Sequence, residues 1–263
     1  MSYTAQELLD YAIHASQLAG AILSEGYGKP LSLRSKEGMH NIVTQYDIAA
    51  ERAIIDSLRS ATPSAAFHAE ESGRGEGSDD LTWIIDPLDG TVNFAHGIPF
   101  FCVSIAATIQ NALVCGVIYN PLSNELFTAS LHGGARLNGE LIAVSPTSMI
   151  QESILATGFP YNVAENPLGC IEQFDVVVRT GTPVRRLGSA ALDLAYTAAG
   201  RFDGFWESVL QPWDIAAGVL IVQEAGGKVT NYSSNTFDLS NSSVVATNGH
   251  IHDELSALLD VNT

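Results

Sequence analysis

Two aspartates, Asp86 and Asp89, lie three positions apart where a short apolar segment, residues 83–85, ends. Pro87 between them fixes φ and lacks an N–H, so the turn can direct both carboxylates, together with the Leu88 carbonyl, toward one point. Like charges held this close favour a bound cation, and oxygen donors of this kind suit Mg²⁺. Asp-Pro and Asp-Gly steps are also common in ordinary turns, so the segment by itself is compatible with either interpretation.

The residues that follow, Gly90 to Phe94, are predicted to form the first turn of a helix. The free N–H groups and the positive dipole end of such a turn accept a phosphate. We therefore expect Gly90 and Thr91 to bind phosphate beside the two aspartates.

Further acidic residues lie beside apolar segments, where a carboxylate needs a partner. Glu70-Glu71 follows an apolar stretch, and Asp214 opens an apolar segment that is predicted to be a helix. Asp47 lies at the start of another predicted helix. Each has an ordinary alternative role. Asp214 has the position of a helix N-cap, Glu71 could be solvated beside Glu70, and Thr44-x-x-Asp47 resembles a capping box.

Apolar periodicity predicts the helices and strands that must hold these residues. The first half contains two helices, a buried strand and an antiparallel meander, and in the second half strands and helices alternate. This order favours a layered α/β architecture in one domain, with two lobes at approximately 1–145 and 146–263. The predicted helices are 8–23, 47–58, 171–178, 190–199 and 215–224, and the predicted strands are 83–85, 100–109, 112–119, 125–129, 154–158, 184–187, 202–206 and 228–230.

The 263-residue chain has a formal net charge of −17, from 12 Lys and Arg against 29 Asp and Glu. Such a charge repels DNA, RNA and anionic lipid, which argues against nucleic-acid and membrane partners. A negative protein that acts on a phosphate needs positive charge locally. With few basic residues, a bound divalent metal is the simplest source of it.

The N-terminal residues and the cysteines indicate the cellular compartment of the protein and whether its cysteines form disulfides. Residues 1–27 lack a basic n-region, and no apolar run is long enough to span a membrane. A hairpin turn at Gln110-Asn111 would leave Cys102 and Cys115 out of register, so no disulfide is predicted. These two residues and Cys170 show no metal-ligand spacing and are expected to fill the core. We therefore predict a cytoplasmic protein.

Two motifs resemble the signatures of the inositol monophosphatase family. They are Asp86-Pro87-Leu88-Asp89-Gly90-Thr91-x-x-Phe94 and Trp213-Asp214-x-Ala216-Ala217-Gly218, which runs on through Gly226-Gly227. Further similarity covers most of the chain, at Lys36, 43–44, Asp47, 70–72, 185–191 and 205–207. The resemblance implies a homodimer of αβαβα five-layer sandwiches that act as a lithium-sensitive phosphatase with two to three Mg²⁺ ions per site.

The resemblance also implies a set of metal ligands. One Mg²⁺ would be held by Glu70, Asp86 and the Leu88 carbonyl, a second by Asp86, Asp89 and Asp214, and a third, weaker one beside Glu70. Many relatives carry Asp where this chain has Asn41, near the mobile loop that contains Lys36. A neutral amide there removes charge, so the pattern does not determine the affinity of the third site or the potency of lithium.

The remaining implied roles concern catalysis and substrate. Thr91 and Asp47 would activate a water molecule, with Glu70 in reach, for direct attack on phosphorus. Glu207, Asp89 and the Ala190 N–H would contact the substrate, expected to be inositol 1-phosphate. Other family substrates, which the pattern separates poorly, are fructose 1,6-bisphosphate, histidinol phosphate and phosphoadenosine phosphate.

Three other interpretations concern the same acidic residues. A haloacid-dehalogenase-type phosphatase uses Asp-x-Asp-x-Thr, but here the acids are three apart with Pro87 between them. A Ca²⁺-binding module would need an Asp-x-Asp-x-Asp-Gly loop closed by Glu, which the sequence lacks. A catalytically silent regulatory protein that retains the fold stays open, because fold does not determine function.

Overall fold

A computed structural model describes residues 3–35, 42–232 and 236–261, with only the backbone at Ser35 and Asp79. Lys36 and Asn41, for which the family resemblance implies roles, lie outside the described residues. Within the described residues, no helix is both long and apolar enough to cross a bilayer.

Two long helices open the fold and pack side by side: α1 (Ala5–Gly26) and α2 (Gln45–Ala61). In the chain they are separated by an antiparallel ribbon of β1 (Arg34–Ser35) and β2 (Ile42–Val43). Helix α2 begins with a capping box in which the Thr44 side chain accepts from the Asp47 N–H and the Asp47 side chain accepts from the Thr44 N–H. The capping box predicted for this pair is confirmed.

An eight-stranded sheet follows. Its strands are β3 (Ala65–Ala69), β4 (Gly73–Arg74), β5 (Ser78–Asp89), β6 (Cys102–Ile109), β7 (Ala112–Asn120), β8 (Glu125–Ser130), β9 (Gly134–Leu137) and β10 (Glu140–Leu141). The order is β10-β9-β8-β7-β6-β5-β3-β4. Strands β3 and β5 run parallel, and the other neighbours are antiparallel, as the predicted meander requires. The short helix α3 (Thr91–Ala95) leaves the end of β5.

The predicted hairpin at Gln110-Asn111 is present between β6 and β7. Both residues have positive φ, 50° and 66°, as a two-residue turn of the primed type requires. Ile109 faces Ala112, but a bulge then shifts the register so that Ala107 faces Cys115. All three cysteines of the chain are free and buried, where they were expected.

A second, five-stranded sheet lies in the second half, with the order β12-β11-β13-β15-β14. It is mixed: β12, β11 and β13 are parallel, and β13, β15 and β14 are antiparallel. Its strands are β11 (Leu155–Thr157), β12 (Val184–Arg185), β13 (Gly204–Glu207), β14 (Lys228–Thr230) and β15 (Val244–Thr247), and the helices are α4 (Cys170–Arg179), α5 (Ala190–Ala198), α6 (Pro212–Glu224) and α7 (His252–Leu259).

Three apolar clusters join these elements into layers. One packs α1 and α2 on the outer face of the large sheet. A second packs α5 and α6 between the two sheets, and a third packs α4 and α7 on the far face of the small sheet. The architecture is therefore the predicted five-layer αβαβα sandwich. Helix α6 is apolar on all sides, because a sheet covers each of its two faces.

Several boundaries differ from the prediction. Strand β5 continues beyond the predicted 83–85 at both ends and includes Pro87, which lies at an irregularity in its pairing with β6. The predicted strand 184–187 has only two residues. Helix α6 begins at Pro212, with Gln211 as its N-cap, so Asp214 is its third residue rather than its N-cap.

Candidate active site

The two motif aspartates lie on a bulge at the end of β5. Asp86 pairs with Ser104 of β6, and pairing resumes at Asp89 with Cys102, so β5 carries one extra residue between these pairs. Pro87 is tolerated there because a bulged residue need not donate to the ladder. The Leu88 N–H donates to Asp86 Oδ1 at 2.9 Å, which fixes the turn. Asp86 is only 2% exposed.

Glu70 lies beside Asp86 because β3 and β5 run parallel. Ala69 at the end of β3 pairs with Ile85, and the Glu70 N–H donates to the Ile85 carbonyl at 3.1 Å. The pKa of Asp86 is raised well above its ordinary value by burial and by the nearby charges of Glu70, Asp89 and Asp214. The structure therefore brings four predicted metal ligands into one neighbourhood.

Asp89 connects this bulge to the start of α5. Its Oδ2 accepts from Ser189 Oγ at 2.6 Å and from the Ala191 N–H at 2.7 Å. Burial raises the pKa of Asp89 to about 6, against the opposing effect of these donors and of the N–H groups of Ala190 and Gly90. The Ala190 N–H, predicted to contact substrate, thus lies beside the Asp89 carboxylate.

Asp214 reaches the cluster from the first turn of α6. Its Oδ2 accepts from the Gln211 N–H at 2.6 Å, closing the turn. Its pKa is raised well above the ordinary value by burial and by Asp89, with smaller contributions from Glu70 and Glu207. Helix α6 therefore places this acid next to Asp89.

Thr91 and Asp47 form a second contact group, adjacent to the Leu88 carbonyl. Thr91 Oγ1 lies 3.0 Å from Asp47 Oδ1 and 2.9 Å from the Leu88 carbonyl oxygen. Asp47 is fully buried, and burial raises its pKa to about 6.

Gly90 is the N-cap of α3 and has a φ of 94°. A Cβ there would lie 2.9 Å from the Phe100 carbonyl oxygen. Only glycine fits this turn without strain.

Glu207 marks the far side of the site, at the end of β13. Burial and the charge of Asp89 raise its pKa to about 8, against the opposing effect of Arg186. The structure thus places this predicted substrate contact within the field of Asp89, on a strand that is distant in sequence.

Sequence reasoning missed three residues in this region. Ser189 is both the N-cap of α5 and a donor to Asp89, a role that its position before an apolar helix could have suggested. Cys102 Sγ lies 4.0 Å from Asp89 Oδ2, and burial raises the pKa of its thiol well above the ordinary value. Asp193 is buried on α5, and its Oδ1 has no hydrogen-bond partner among the described residues. An acid within an apolar helix was the available signal.

The site combines buried carboxylate oxygens, which can act as metal ligands, with a hydroxyl–carboxylate pair. The acids are neighbours, but across the described residues no group of three or more His, Cys, Asp or Glu side chains is already arranged to hold a metal ion. Carboxylates that raise one another's pKa favour a cation or protons between them. The site can therefore bind positive charge and move a proton.

Comparison with known proteins adds to this geometry. The model of the inositol monophosphatase family matches residues 4–261. An inositol-1-monophosphatase of Synechocystis sp. is 43% identical over 255 residues, which cover 97% of this chain and 89% of that protein. The Nus factor SuhB of Escherichia coli K12 is 42% identical over 262 residues, covering 96% and 98%. The structure of extragenic suppressor protein suhB from Bartonella henselae has a TM-score of 0.93 at 40% identity, covering 98% of this chain and 100% of that one.

Proposed function

Because this chain belongs to the inositol monophosphatase family and is a phosphoric monoester hydrolase, we propose that it hydrolyses a phosphate monoester of a small polyol or sugar, inositol 1-phosphate above all. The products are the free polyol and inorganic phosphate. The observation that carries the proposal is that Glu70, Asp89 and Asp214 lie near Asp86. Their charges raise the pKa of Asp86.

The donor chemistry of this cluster fits Mg²⁺, since hard cations prefer carboxylate and carbonyl oxygens. In the proposal, Glu70, Asp86 and the Leu88 carbonyl would hold one ion, and Asp86, Asp89 and Asp214 would hold a second. A third, weaker position would lie beside Glu70. When bound, Mg²⁺ supplies Lewis-acid stabilisation of negative charge on the phosphate and the water.

Thr91 and Asp47 offer a path for the proton that the attacking water must lose. Thr91 can pass its hydroxyl proton to Asp47, 3.0 Å away, while its oxygen accepts one from water. A pKa of about 6 makes Asp47 a stronger base than an ordinary carboxylate. Glu70 is proposed as a second acceptor. The water oxygen bonds to phosphorus and the ester P–O bond breaks. The leaving alkoxide takes up a proton from solvent water, and Asp47 returns its proton to solvent.

Substrate binding involves both sides of the site in this proposal. Gly90 and Thr91 bind the phosphate. Glu207 accepts hydrogen bonds from the hydroxyl groups of the leaving polyol through its carboxyl oxygens, which keep acceptor capacity in either protonation state, helped by Asp89 and the Ala190 N–H. Fructose 1,6-bisphosphate, histidinol phosphate and phosphoadenosine phosphate are the alternative substrates.

A phosphate-release panel tests the proposal. The purified protein is assayed with Mg²⁺ on inositol 1-phosphate and on the three alternative compounds. We expect the highest kcat/KM on inositol 1-phosphate, loss of activity in EDTA and recovery with added Mg²⁺. Activity undiminished by EDTA would contradict the metal assignment. No phosphate release from any of the four compounds would contradict the proposed substrate class.

A regulatory role is a second candidate, because one similar protein carries the name Nus factor SuhB. The two roles are separable with Asp214→Asn, which removes an acidic ligand from the cluster without removing side-chain volume. A protein that regulates through its surface would keep its binding properties in this variant, whereas hydrolysis would be lost.

Assembly, location and lithium sensitivity complete the proposal. We propose a homodimer that works in the cytoplasm, where free buried cysteines such as those of this chain are stable. Light scattering on the purified protein measures the assembly. Lithium is proposed to inhibit at the second metal position, and the hydrolysis rate measured against LiCl concentration tests this.

A further inference from the structure

Gly158 lies directly against the carboxylate of Glu207. A Cβ built on Gly158 would lie 2.0 Å from Glu207 Oε2, 2.3 Å from Oε1 and 2.2 Å from Cδ. No real Cβ tolerates contacts this short, so the carboxylate occupies the space that a side chain at position 158 would need.

The two residues meet because β11 and β13 run parallel in register. Thr157 pairs with Trp206, and Thr157 Oγ1 donates to the Trp206 carbonyl at 2.7 Å. The next residue on each strand, Gly158 and Glu207, therefore emerges at the same edge of the small sheet. Functional groups of α/β proteins typically gather at the carboxyl ends of parallel strands.

The backbone of position 158 does not itself require glycine. Gly158 is absent from the glycines that adopt positive φ, so its backbone conformation is open to other residues. The three atoms nearest to the added Cβ all belong to the end of the Glu207 side chain.

The chain on either side of Gly158 is fixed. Thr157 is buried in β11, and Pro160 is buried two residues further on. Phe159 packs edge to face on Phe174 of α4, with ring centroids 5.4 Å apart. A Cβ at position 158 would therefore displace the Glu207 carboxylate rather than the backbone.

We propose that Gly158 is a specificity-determining position of this site: the missing side chain allows the Glu207 carboxylate to lie where it receives the hydroxyl groups of a polyol leaving group. The inference rests on the proposed function. Gly158 is a positioning residue, since it acts through Glu207. It selects for neutral leaving groups that carry several hydroxyl donors over leaving groups without them.

A double-mutant cycle tests the inference. Gly158→Ala, Glu207→Ala and the double variant are assayed for kcat/KM on inositol 1-phosphate and on 4-nitrophenyl phosphate, which lacks hydroxyl groups. We expect Gly158→Ala to lower the preference for inositol 1-phosphate by about tenfold, because small misplacements of a positioning group are costly. In the Glu207→Ala background, where the carboxylate is gone, Gly158→Ala should change the preference by less than about twofold, since the effects are not independent.

A matched control and a second readout separate selectivity from folding. Gly75→Ala adds the same methyl group where its nearest neighbours, Phe67 Cβ and the Phe67 carbonyl oxygen, are 3.8 Å away, so its preference should equal that of the wild type. Thermal unfolding is measured for the wild type, the two single variants and the double variant. Any loss of stability caused by Gly158→Ala in the wild type should be absent when Glu207→Ala is also present.

Each outcome decides the matter. A loss in Gly158→Ala that is equal on both substrates, that persists without Glu207, or that is absent altogether overturns the inference alone. Wild-type protein that hydrolyses 4-nitrophenyl phosphate but no polyol phosphate overturns the proposed function and the inference with it. A selective loss that disappears in the Glu207→Ala background supports both.

Discussion

The two carboxylate oxygens of Asp47 have different roles: one closes the capping box of α2, and the other contacts Thr91. Oδ2 accepts from the Thr44 N–H at 3.0 Å and closes the capping box of α2, while Oδ1 faces Thr91 Oγ1. The capping box is therefore no alternative to a chemical role, because it holds the carboxylate in place. Burial sets its base strength by raising the pKa to about 6.

The first prediction at the residue scale concerns Thr91. Thr91→Val keeps the shape of the side chain but removes the hydroxyl between Asp47 and water. We expect kcat to fall by about 100-fold or more, the usual contribution of a positioned proton acceptor. Thr91→Ser, which restores the hydroxyl, should recover much of that loss. Steady-state kinetics on inositol 1-phosphate measure both, and a valine variant with kcat near that of the wild type would rule out the proton path.

The second prediction concerns Asp86 and metal binding. Added Mg²⁺ should raise the thermal unfolding temperature of the wild type, because a ligand that binds only the folded state stabilises it. Asp86→Asn removes a carboxylate shared by both proposed positions, so this rise should largely disappear. We expect its activity to fall by more than about 100-fold, since even groups that only support metal ligands contribute about 10–100-fold. An equal rise in both proteins would show that Mg²⁺ binds elsewhere.

Helix α7 shows how one buried side chain joins elements. His252, its first residue, lies with Nε2 3.1 Å from Thr230 Oγ1 at the end of β14 and with Nδ1 3.0 Å from Thr247 Oγ1 at the end of β15. Burial, and then the charge of Lys228, lower the pKa of His252 to about 4. The helix is thus attached to the small sheet by a neutral imidazole.

The third prediction, at the element scale, follows from this pKa. In the unfolded chain His252 takes up a proton near pH 6.5, whereas in the folded chain it does so only near pH 4. Its contribution to stability is therefore fully present above about pH 6.5 and is lost as the pH falls toward 4. His252→Gln keeps hydrogen-bonding groups but does not titrate.

Urea unfolding at several pH values measures the third prediction. The stability difference between wild type and His252→Gln should shrink by about 2 kcal/mol between pH 6.5 and pH 4, after allowance for partial solvent screening. Carboxylates that titrate in the same range are common to both proteins and cancel in the difference. A constant difference across this range would show that His252 does not stay neutral.

The whole molecule depends on how closely its layers approach α6. A Cβ on Gly116 of β7 would lie 2.8 Å from the Ala217 carbonyl oxygen and 3.0 Å from Ala217 Cα. A Cβ on Gly218 would lie 2.6 Å from Leu194 Cβ on α5. These glycines set the distance of α6 from the large sheet and from α5, and α6 carries Asp214 into the site.

The fourth prediction tests this spacing. Gly116→Ala should destabilise the protein by about 1–3 kcal/mol, because backbone atoms of α6 cannot rotate away from the added methyl group. Activity should fall with it, since Asp214 moves with the helix. Gly75→Ala, which has room for its methyl group, serves as the comparison in denaturant unfolding. Equal stability of the two variants would show that the layers can separate without cost.

The sequence by itself determined the local features of this protein. The Asp86-to-Thr91 run predicted a turn followed by a short helix, Thr44 and Asp47 predicted a capping box, and alternation of strands and helices predicted a layered α/β fold. These features were predictable because they depend on residues within one or two turns of each other. The extent of β5 was missed, since Pro87 usually ends a strand and is tolerated here only through the bulge.

Only the tertiary structure decided which residues meet. Asp89 bonds to Ser189 and Ala191 a hundred positions away, and Gly158 lies under Glu207 because two short parallel strands end in register. The raised pKa values of the site acids likewise come from burial by distant elements. Local periodicity indicates that a strand exists, but it does not indicate which strand lies beside it. Strand pairing is determined by how the two sheets and α6 pack as a whole.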